Sequence, residues 1–566
     1  MNIESLIDLL DKSKNDNEKF ALLLIVSQLI KSNKLDELKR SDTETSKQLN
    51  ERLFNSIGSH FLARLLTTRQ LTENCSPLFY KSTSMSILIQ FLDYPELICD
   101  PILISKLQII FDILKCKEDI DNCSGDEEEK ASNLKLEKNL ILDTFKYLFA
   151  LSETCADHLI SIGLLSLLIN DVILSKSYDK FKIESLKKED DDLKLIACKL
   201  FTSICNGKQS TNKNKDFVKF KLNQIDDCMK SLVKCVNKNQ TDFKFEILPY
   251  LNYFLDETNN KQTFQLFQEK YEYFSDPMFN ILNDLLSNKI NPKMKQLAFV
   301  YLNHFVKLFQ FEYIYMKNRK FFYLIIHLLC IEIGINIQEI ESESKISIGN
   351  DFLDNMYIYY SLLEEIIVIL STASPFDYAS DRDNNSDQDT DNDVDNEDSE
   401  DLVANGQENE EPELKKVIQV IVESLESIVM FVKDCLNDND NKDFKKLDKN
   451  TCLFLVSCIR LLNCWLMHEN LLEKELIDLM PQLIEFSEYF HQSEFNQDIK
   501  LNVFEFISPS LRRVLSDEKE NFKDKFQSSN NDLDTAKMEF EKTEQEEYIN
   551  NLSKLLDKCN VNATNK

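Results

Sequence analysis

Two segments decide the fold of this chain: DNEKFALLLIVSQLIK at residues 16–31 and RLFNSIGSHFLARLLTT at residues 52–68. The first begins at Asp16, a residue type that caps helices, and its run from Phe20 to Ile30 is apolar on almost every side. A helix with this pattern is buried between two neighbours rather than laid on a surface. The segment therefore predicts helices stacked in an array.

The second segment carries a helical repeat of apolar residues around a glycine. Its large side chains recur at spacings of three and four on both sides of Gly58 and end at Thr67 and Thr68; they are Phe54, Ile57, Phe61, Leu62, Leu65 and Leu66. This spacing predicts two buried helical stretches joined by a tight turn at the glycine.

Composition extends this prediction to the whole chain. The 566 residues include 7 Gly and 10 Pro, where average usage gives roughly 40 and 28. A sheet protein of this length needs many turn glycines, so helix is the predicted element. A hydrophobic share of 43% is enough for a packed interior, and the length exceeds what one core serves. We predict an all-α fold, an armadillo/HEAT-like helical solenoid of stacked helix pairs.

Charge and cysteine usage limit the partners and the compartment. The net charge of −31 argues against nucleic acid as a ligand, because phosphate binding needs a basic surface. Most of the 15 cysteines lie in apolar helical runs, as Cys198, Cys330 and Cys458 do, and are expected to be reduced core residues.

No targeting or membrane segment is predicted. The N-terminus lacks the basic and long apolar regions of a signal peptide. The apolar runs near 321–335 and 357–370 are interrupted by charged residues and fall short of the ~20 residues of a span. We therefore expect a cytoplasmic protein without a transmembrane segment, although peripheral membrane association is compatible with the sequence.

Changes in composition divide the chain into four parts. Residues 1–370 form an N-terminal helical array, 371–413 an acidic disordered loop, 414–515 a continuation of the array, and 516–566 a charged tail that is partly helical or disordered. No strict sequence repeat is visible. In the third part, the block from Cys452 places Leu455, Cys458, Leu462 and Trp465 on one helix face.

The acidic loop holds 16 acidic residues and one basic residue between Asp377 and Glu413. Self-repulsion and a lack of apolar residues predict an expanded insertion, which has either no role or attracts basic partners. Ser380, Ser386 and Thr390 each have an acidic residue three positions later. That context makes them candidate phosphorylation sites.

Candidates for catalysis or metal binding are few. Cys464 and His468 lie four apart on a predicted helix, but no second pair stands at zinc-ligand spacing, so core packing is the favoured interpretation. Glu364 and Glu365 point about 100° apart on a helix and do not form an acid/base pair, and one of them should face water. We predict no catalytic, cofactor-binding or metal site.

The order and spacing of these blocks resemble the neurochondrin family. The segment 16–68 carries most of the resemblance, and KFEILPYLNYFL at 244–255, KFFYLIIHLLCIEIGINIQE at 320–339 and the Trp465 block follow in the family's order. The resemblance covers about residues 5–510. By comparison with animal members, we expect this chain to lack the helical array that follows the Trp465 block and to carry the acidic loop as an insertion.

The resemblance implies a cytosolic armadillo-like protein without catalytic activity. In animals the family is tied to neurite outgrowth, neuron projection development and signalling, through receptor tails, kinases or small-GTPase components as partners. The leading hypothesis is a noncatalytic scaffold or adaptor that binds signalling proteins through a helical-repeat surface. The alternatives are a karyopherin-type transport adaptor for basic peptides and, with least support, an enzyme with an unrecognised site.

Overall fold

The computed structural model describes residues 3–31, 43–68, 76–115, 127–181, 192–206, 215–238, 242–342, 348–373, 411–437, 447–494, 496, 501–527 and 535–564. Within these ranges the regular elements are helices and no β-strand occurs. The chain divides into two compact units, Met1–Ile281 and Leu282–Lys566. The prediction of an all-α array of stacked helices is confirmed within each unit.

The first unit contains α1 to α14 and most of α15, with short 3₁₀ or π turns after α5 and α10. Their bounds are α1 Ile3–Lys12, α2 Asp16–Lys31, α3 Thr43–Ile57, α4 Ser59–Thr67, α5 Pro77–Leu88, α6 Pro95–Ile98, α7 Pro101–Ile104, α8 Leu107–Leu114, α9 Glu127–Ser161, α10 Leu164–Leu167, α11 Leu193–Asn206, α12 Lys215–Lys238, α13 Asp242–Leu255, α14 Lys261–Glu269 and α15 Tyr271–Ser287.

The second unit contains longer and more regular helices. Their bounds are α16 Pro292–Lys317, α17 Arg319–Ser342, α18 Asn350–Ala373, α19 Glu411–Asn437, α20 Lys449–His468, α21 Glu473–Gln492, α22 Phe504–Gln527 and α23 Thr535–Thr564.

The start of α2 differs from the prediction in two respects. Asn15, not Asp16, caps the helix: its Oδ1 accepts a hydrogen bond from the Glu18 N–H at 2.9 Å, and Asp16 is the first helical residue. The helix packs on α1 and α5, yet Ala21 and Ile25 are exposed on its remaining side. The helix therefore packs between two neighbours, as expected, but one side of it remains at the surface, which was not expected.

The turn at Gly58 is as predicted. Its φ of 77° lies in the region that glycine adopts without strain, and it separates α3 from α4. All the apolar residues singled out around it, from Phe54 to Leu66, are buried.

The second unit is built as two rows of helices. In row A, α16, α18, α20 and α22 pack side by side in that order, and in row B the order is α17, α19, α21 and α23. Contacts within row A join residues early in one helix to early residues in the next. Asn450 meets Asn350 near the helix starts at 3.0 Å, and Arg460 meets Glu364 further along at 2.6 Å. Neighbouring row A helices are therefore parallel.

The helices of row B run antiparallel to those of row A. The Lys295 ammonium near the start of α16 meets Glu332 in the second half of α17 at 2.5 Å. Likewise, the ring of Phe431 near the end of α19 lies 5.4 Å from the ring of Phe454 near the start of α20. Because row A is parallel, α17 and α19 are parallel to each other. Two layers of parallel helices are the architecture of armadillo and HEAT arrays.

A structural repeat underlies both units. In the first unit, polar contacts join α5 to α9, α9 to α11, and the residue before α11 to α13, between residues separated by 57, 51 and 58 positions. In the second unit the separations are 59 between α16 and α18, and 47 between α20 and α22. Between α18 and α20 the separation is 100, and the segment 374–410 falls within that longer repeat. The repeat is conserved in packing rather than in residue identity, which is why the sequence did not display it.

The C-terminal part is more integrated than its composition indicates. Helices α22 and α23 pack on each other, with Arg512 donating to Asn560 and Gln545 to Glu518, and Leu552 and Cys559 of α23 are fully buried. The many charged residues predicted a solvated segment here, but a few apolar residues are enough to pack α23 against its neighbours. The four-part division of the chain stays a prediction, and residues 374–410 of the acidic loop lie outside the described residues.

Within the part of the chain that the structure describes, two helices are long and apolar enough to cross a membrane, judged by length and composition alone. They are Arg319–Ile340, where 50% of the most apolar stretch is buried, and Lys449–His468, where 67% of it is buried. A third candidate arises if the bent pair Lys130–Ser161 and Leu164–Ile173 counts as one span. This corrects the expectation for the apolar run near 321–335, because Glu332 within it does not end the helix, whereas α18, which contains the run near 357–370, does not meet the same criterion. The absence of a transmembrane segment stays a prediction.

Candidate functional site

A stripe of polar side chains runs along the outward side of row A in the second unit. On α20 the partly exposed residues follow helical spacing and include Ser457, Arg460 and Cys464. The Arg460 guanidinium pairs with the Glu364 carboxylate of α18 at 2.6 Å and lies over the Phe506 ring of α22, 5.8 Å from its centroid. Arg460 thus links three neighbouring helices.

Glu364 is the most perturbed carboxyl group of this stripe. Its side chain is 12% exposed, and burial raises its pKa to about 7, although Arg460 acts in the opposite direction. Burial prevails because the Arg460 side chain is 42% exposed and shares its charge with water. The predicted divergence of the two glutamates is confirmed, since Glu365 is exposed.

Cys464 lies beside this ion pair, and His468 follows it by one helical turn on α20. The Cys464 Sγ is 3.9 Å from the Glu364 carbonyl oxygen, and burial raises the pKa of the thiol to about 12, so the thiolate is scarce at neutral pH. Burial and the nearby Arg513 lower the pKa of His468. Among the described residues, no group of three or more His, Cys, Asp or Glu side chains is placed to hold a metal ion.

Arg513 of α22 fixes the loop between α20 and α21. Its Nε donates a hydrogen bond to the Leu466 carbonyl oxygen at 2.6 Å, and Nη1 donates to Asn470 Oδ1 at 2.7 Å. The guanidinium also forms ion pairs with Glu473 at 3.3 Å and Asp517 at 2.8 Å. Sequence reasoning missed Arg513 because its partners Leu466 and Asn470 lie more than forty positions earlier. The arrangement joins neighbouring helices of the second unit.

Row B presents a different surface, formed by α17 and α19. The side chain of Cys330 on α17 lies beside Ser424 on α19, and both residues are buried. Consider two parallel helices that touch at one residue each. The residue that follows the contact residue on one helix and the residue that precedes the contact residue on the other helix point to the same side of the pair. Ile331 and Glu423 therefore face the same way.

The same helical geometry places further residues on that side, which we call the α17–α19 face. Ile335 follows Ile331 by one turn, and Met430 and Asp434 follow Glu423 by two and three turns. Ile331 is 52% exposed, Ile335 45% and Met430 64%, while Glu423 and Asp434 are exposed acidic residues. The face combines an apolar stripe with acidic neighbours, and it is part of why α17 resembles a membrane span in composition.

The candidate phosphorylation sites Ser380, Ser386 and Thr390 lie outside the described residues and stay predictions. Phosphosite mapping on the expressed protein tests them.

Comparison with known proteins places this fold in a family. The family model described as Neurochondrin matches residues 1–519. Neurochondrin from Homo sapiens is 28% identical over 168 residues, which cover 29% of this chain and 20% of the human protein. The neurochondrin homolog from Drosophila melanogaster is 34% identical over 113 residues, 20% of this chain and 14% of the fly protein. The aligned region thus spans a fifth or less of these two relatives. Because the family model extends over most of the sequence, this chain belongs to the neurochondrin family.

Proposed function

We propose that this protein is a noncatalytic scaffold that binds other proteins through its helical-repeat surface. The observation that carries the proposal is the α17–α19 face, where three large apolar side chains are about half exposed or more. Exposed apolar stripes on a rigid helical array are typical protein-binding surfaces. Family membership agrees with a protein-interacting role.

The chemistry of the face defines the ligand. An amphipathic helix docks by laying its apolar stripe along such a surface, with anchors at spacings of three and four. Glu423 and Asp434 favour lysine or arginine beside that stripe and disfavour an anionic membrane. We propose that the partner segment is an amphipathic helix that carries both apolar and basic residues.

We also propose a cellular setting, and family membership supports it. We place the protein in the cytoplasm, with receptor tails, kinases or small-GTPase components as the classes of partner and signalling, including neuron projection development in animals, as the process. The alternative is a karyopherin-type transport adaptor. It differs in its ligand, which is a basic peptide without a need for apolar anchors.

A peptide-binding experiment tests the proposal. The probes are a fluorescent model helix of Leu and Lys at helical spacing, the same residues in scrambled order, and oligolysine. They are titrated with the full chain, the double variant Ile331→Gln/Ile335→Gln and the control Tyr357→Gln. Tyr357 is 56% exposed on α18 in the other row, so the control removes a comparable apolar side chain elsewhere.

We expect the amphipathic helix to bind the full chain at least about tenfold more tightly than the scrambled peptide, and the Ile variant to lose that preference. The Tyr357→Gln variant should bind like the unchanged protein. Equal binding of the helix to the Ile variant contradicts the proposed surface. Equal binding of oligolysine and the helix, insensitive to the Ile residues, supports the transport adaptor instead. Ile-dependent binding to phosphatidylcholine vesicles identifies a membrane-facing surface and overturns the proposal.

A further inference from the structure

Two cysteines of the first unit lie side by side, outside the surfaces described above. The Sγ atoms of Cys99 and Cys155 are 3.6 Å apart, although 56 positions separate the residues in sequence. Both residues are partly exposed. Cys99 follows the last residue of the short helix α6, and Cys155 lies at a kink inside α9, where its φ of −123° and ψ of 22° are not helical.

Hydrogen bonds of neighbouring side chains keep the two thiols close together. The Tyr147 hydroxyl of α9 donates a hydrogen bond to the Ile98 carbonyl oxygen at 3.0 Å and fastens the residue before Cys99 to that helix. The Thr154 hydroxyl lies 3.2 Å from the Cys99 Sγ and donates to the Cys155 Sγ at 3.7 Å. The thiols are thus brought together by a defined polar contact.

This environment differs from that of the core cysteines. Cys198, Cys205 and Cys458, for example, are fully buried within helices, where a thiol acts as a small apolar group. Cys99 and Cys155 lie instead at a helix end and a kink, where the backbone can shift. A disulfide has a sulfur–sulfur distance of about 2.05 Å, so a small approach of the two side chains suffices to form one.

We propose that Cys99 and Cys155 form a reversible disulfide by exchange with a low-molecular-weight disulfide such as oxidised glutathione. One protein thiolate, after losing its proton to solvent, attacks a sulfur of the oxidant, and one glutathione thiolate leaves. The second protein cysteine, after losing its proton to solvent, attacks the protein sulfur of the mixed disulfide, which forms the Cys99–Cys155 bond and releases the other glutathione as a thiolate. The two protein thiols are oxidised, the oxidant is reduced to two thiols, and the protons are returned to the departing thiolates.

The rate of this reaction depends on pH in a defined direction. Burial raises the pKa of Cys99, and the Thr154 hydroxyl partly offsets that rise. The thiolate fraction at Cys99 therefore grows as pH rises above neutrality, and so does the rate of any exchange that this thiolate begins. An excess of a small thiol drives the same exchange in reverse and restores both protein thiols.

The experiment uses the full chain, reduced and desalted, then incubated with oxidised glutathione. Remaining thiols are blocked with N-ethylmaleimide and the peptides are mapped by mass spectrometry. We expect a peptide joining Cys99 to Cys155, formed faster at pH 8.5 than at pH 7 and removed by dithiothreitol. Cys99→Ser and Cys155→Ser should each abolish the link and retain glutathione on the remaining cysteine, whereas Cys235→Ser should keep the link.

Other outcomes overturn the proposal. Glutathione that stays on both cysteines without a joined peptide shows that the thiols cannot reach each other. A link from either residue to Cys75, Cys116 or Cys123 shows that the pairing is different. A second measurement needs no oxidant. One equivalent of phenylarsine oxide should bridge the two thiols of the unchanged protein and protect both from N-ethylmaleimide. Protection of only one of the two thiols contradicts their proximity.

Discussion

Glu364 shows how burial changes the chemistry of a single residue. Its sequence context, a glutamate in an apolar run, gives no sign of its protonation. In the folded chain the carboxyl group is 12% exposed beside Arg460, and its pKa rises to about 7 from an ordinary 4.5. The group therefore titrates near neutral pH and makes stability depend on pH.

The direction of that dependence follows from the raised pKa. Between about pH 4.5 and 7 the folded state binds the Glu364 proton more strongly than the unfolded state does, so the free energy of unfolding falls as pH rises. The Glu364→Gln variant has no titrating group at this position. We expect the stability of the variant relative to the unchanged protein to improve by roughly 1–3 kcal/mol between pH 5 and pH 8.

The measurement is unfolding of the second unit, followed through hydrogen exchange of the α18 and α20 amides at several pH values. Glu365→Gln is the matched control, because that carboxyl group is more exposed and should give a smaller change. A pH-independent difference between the Glu364 variant and the unchanged protein contradicts the prediction.

Gln310 carries the clearest backbone strain. Its φ of 65° and ψ of 157°, inside α16, lie in a region that favours glycine. Gln310→Gly should therefore stabilise the second unit by about 1 kcal/mol, while Gln310→Ala, which keeps a Cβ, should not. Thermal unfolding of the three proteins decides the matter, and a midpoint lowered by glycine argues against strain at this position.

At the scale of the elements, parallel packing determines which side chains meet. The three helices α18, α20 and α22 contact one another through residues at corresponding positions along their lengths, and Arg513 forms hydrogen bonds around the loop that follows α20. Two side chains hold this loop. The Trp465 indole N–H of α20 donates to the Leu471 carbonyl oxygen at 2.8 Å. The fork-shaped Arg513 guanidinium adds contacts to a carbonyl oxygen, an amide and carboxylates together.

Arg513→Lys tests the role of that fork. Lysine keeps the charge but cannot reproduce the set of hydrogen bonds, so we expect a loss of about 1–2 kcal/mol and faster proteolysis within the loop 469–472. The neighbouring Arg512 is exposed and donates to Asn560 on α23. Arg512→Lys should change stability by less than about 0.5 kcal/mol. Equal effects of the two substitutions would mean that the loop does not depend on Arg513.

At the scale of the whole molecule, the acidic segment and the helical array are separable in sequence. The contacts that join α18 to α20 lie entirely in described residues on either side of 374–410. Replacing 374–410 by a Gly/Ser linker of the same length should leave the thermal midpoint within a few degrees at 0.15 M salt, because loop composition affects the packed helices mainly through screened charge.

Calorimetry at low and moderate salt measures this. The neutral variant should show a weaker dependence of the midpoint on salt, since much of the net charge of −31 resides in that segment. An equal-length linker that keeps the acidic residues in scrambled order is the control. Loss of the second unit's cooperative unfolding only in the neutral variant would show that the acidic residues support the fold.

The sequence alone predicts much of the architecture. Scarce glycine and the apolar spacing around Gly58 were enough to predict an all-α array, because local geometry and burial depend on residue type and period. The apolar face of the Trp465 helix was also predicted correctly, and Leu455, Cys458, Leu462 and Trp465 are all buried. The family resemblance rested on the same apolar blocks.

Only the tertiary structure decided the rest. The repeat of 47 to 59 residues, the pairing of Arg460 with Glu364 and the meeting of Cys99 with Cys155 all join positions far apart in the chain. Their geometry depends on how neighbouring helices align, which no local pattern encodes. The exposed apolar stripe of α17 belongs to the same class: its composition predicts burial, and only the packing of one side leaves Ile331 and Ile335 facing solvent.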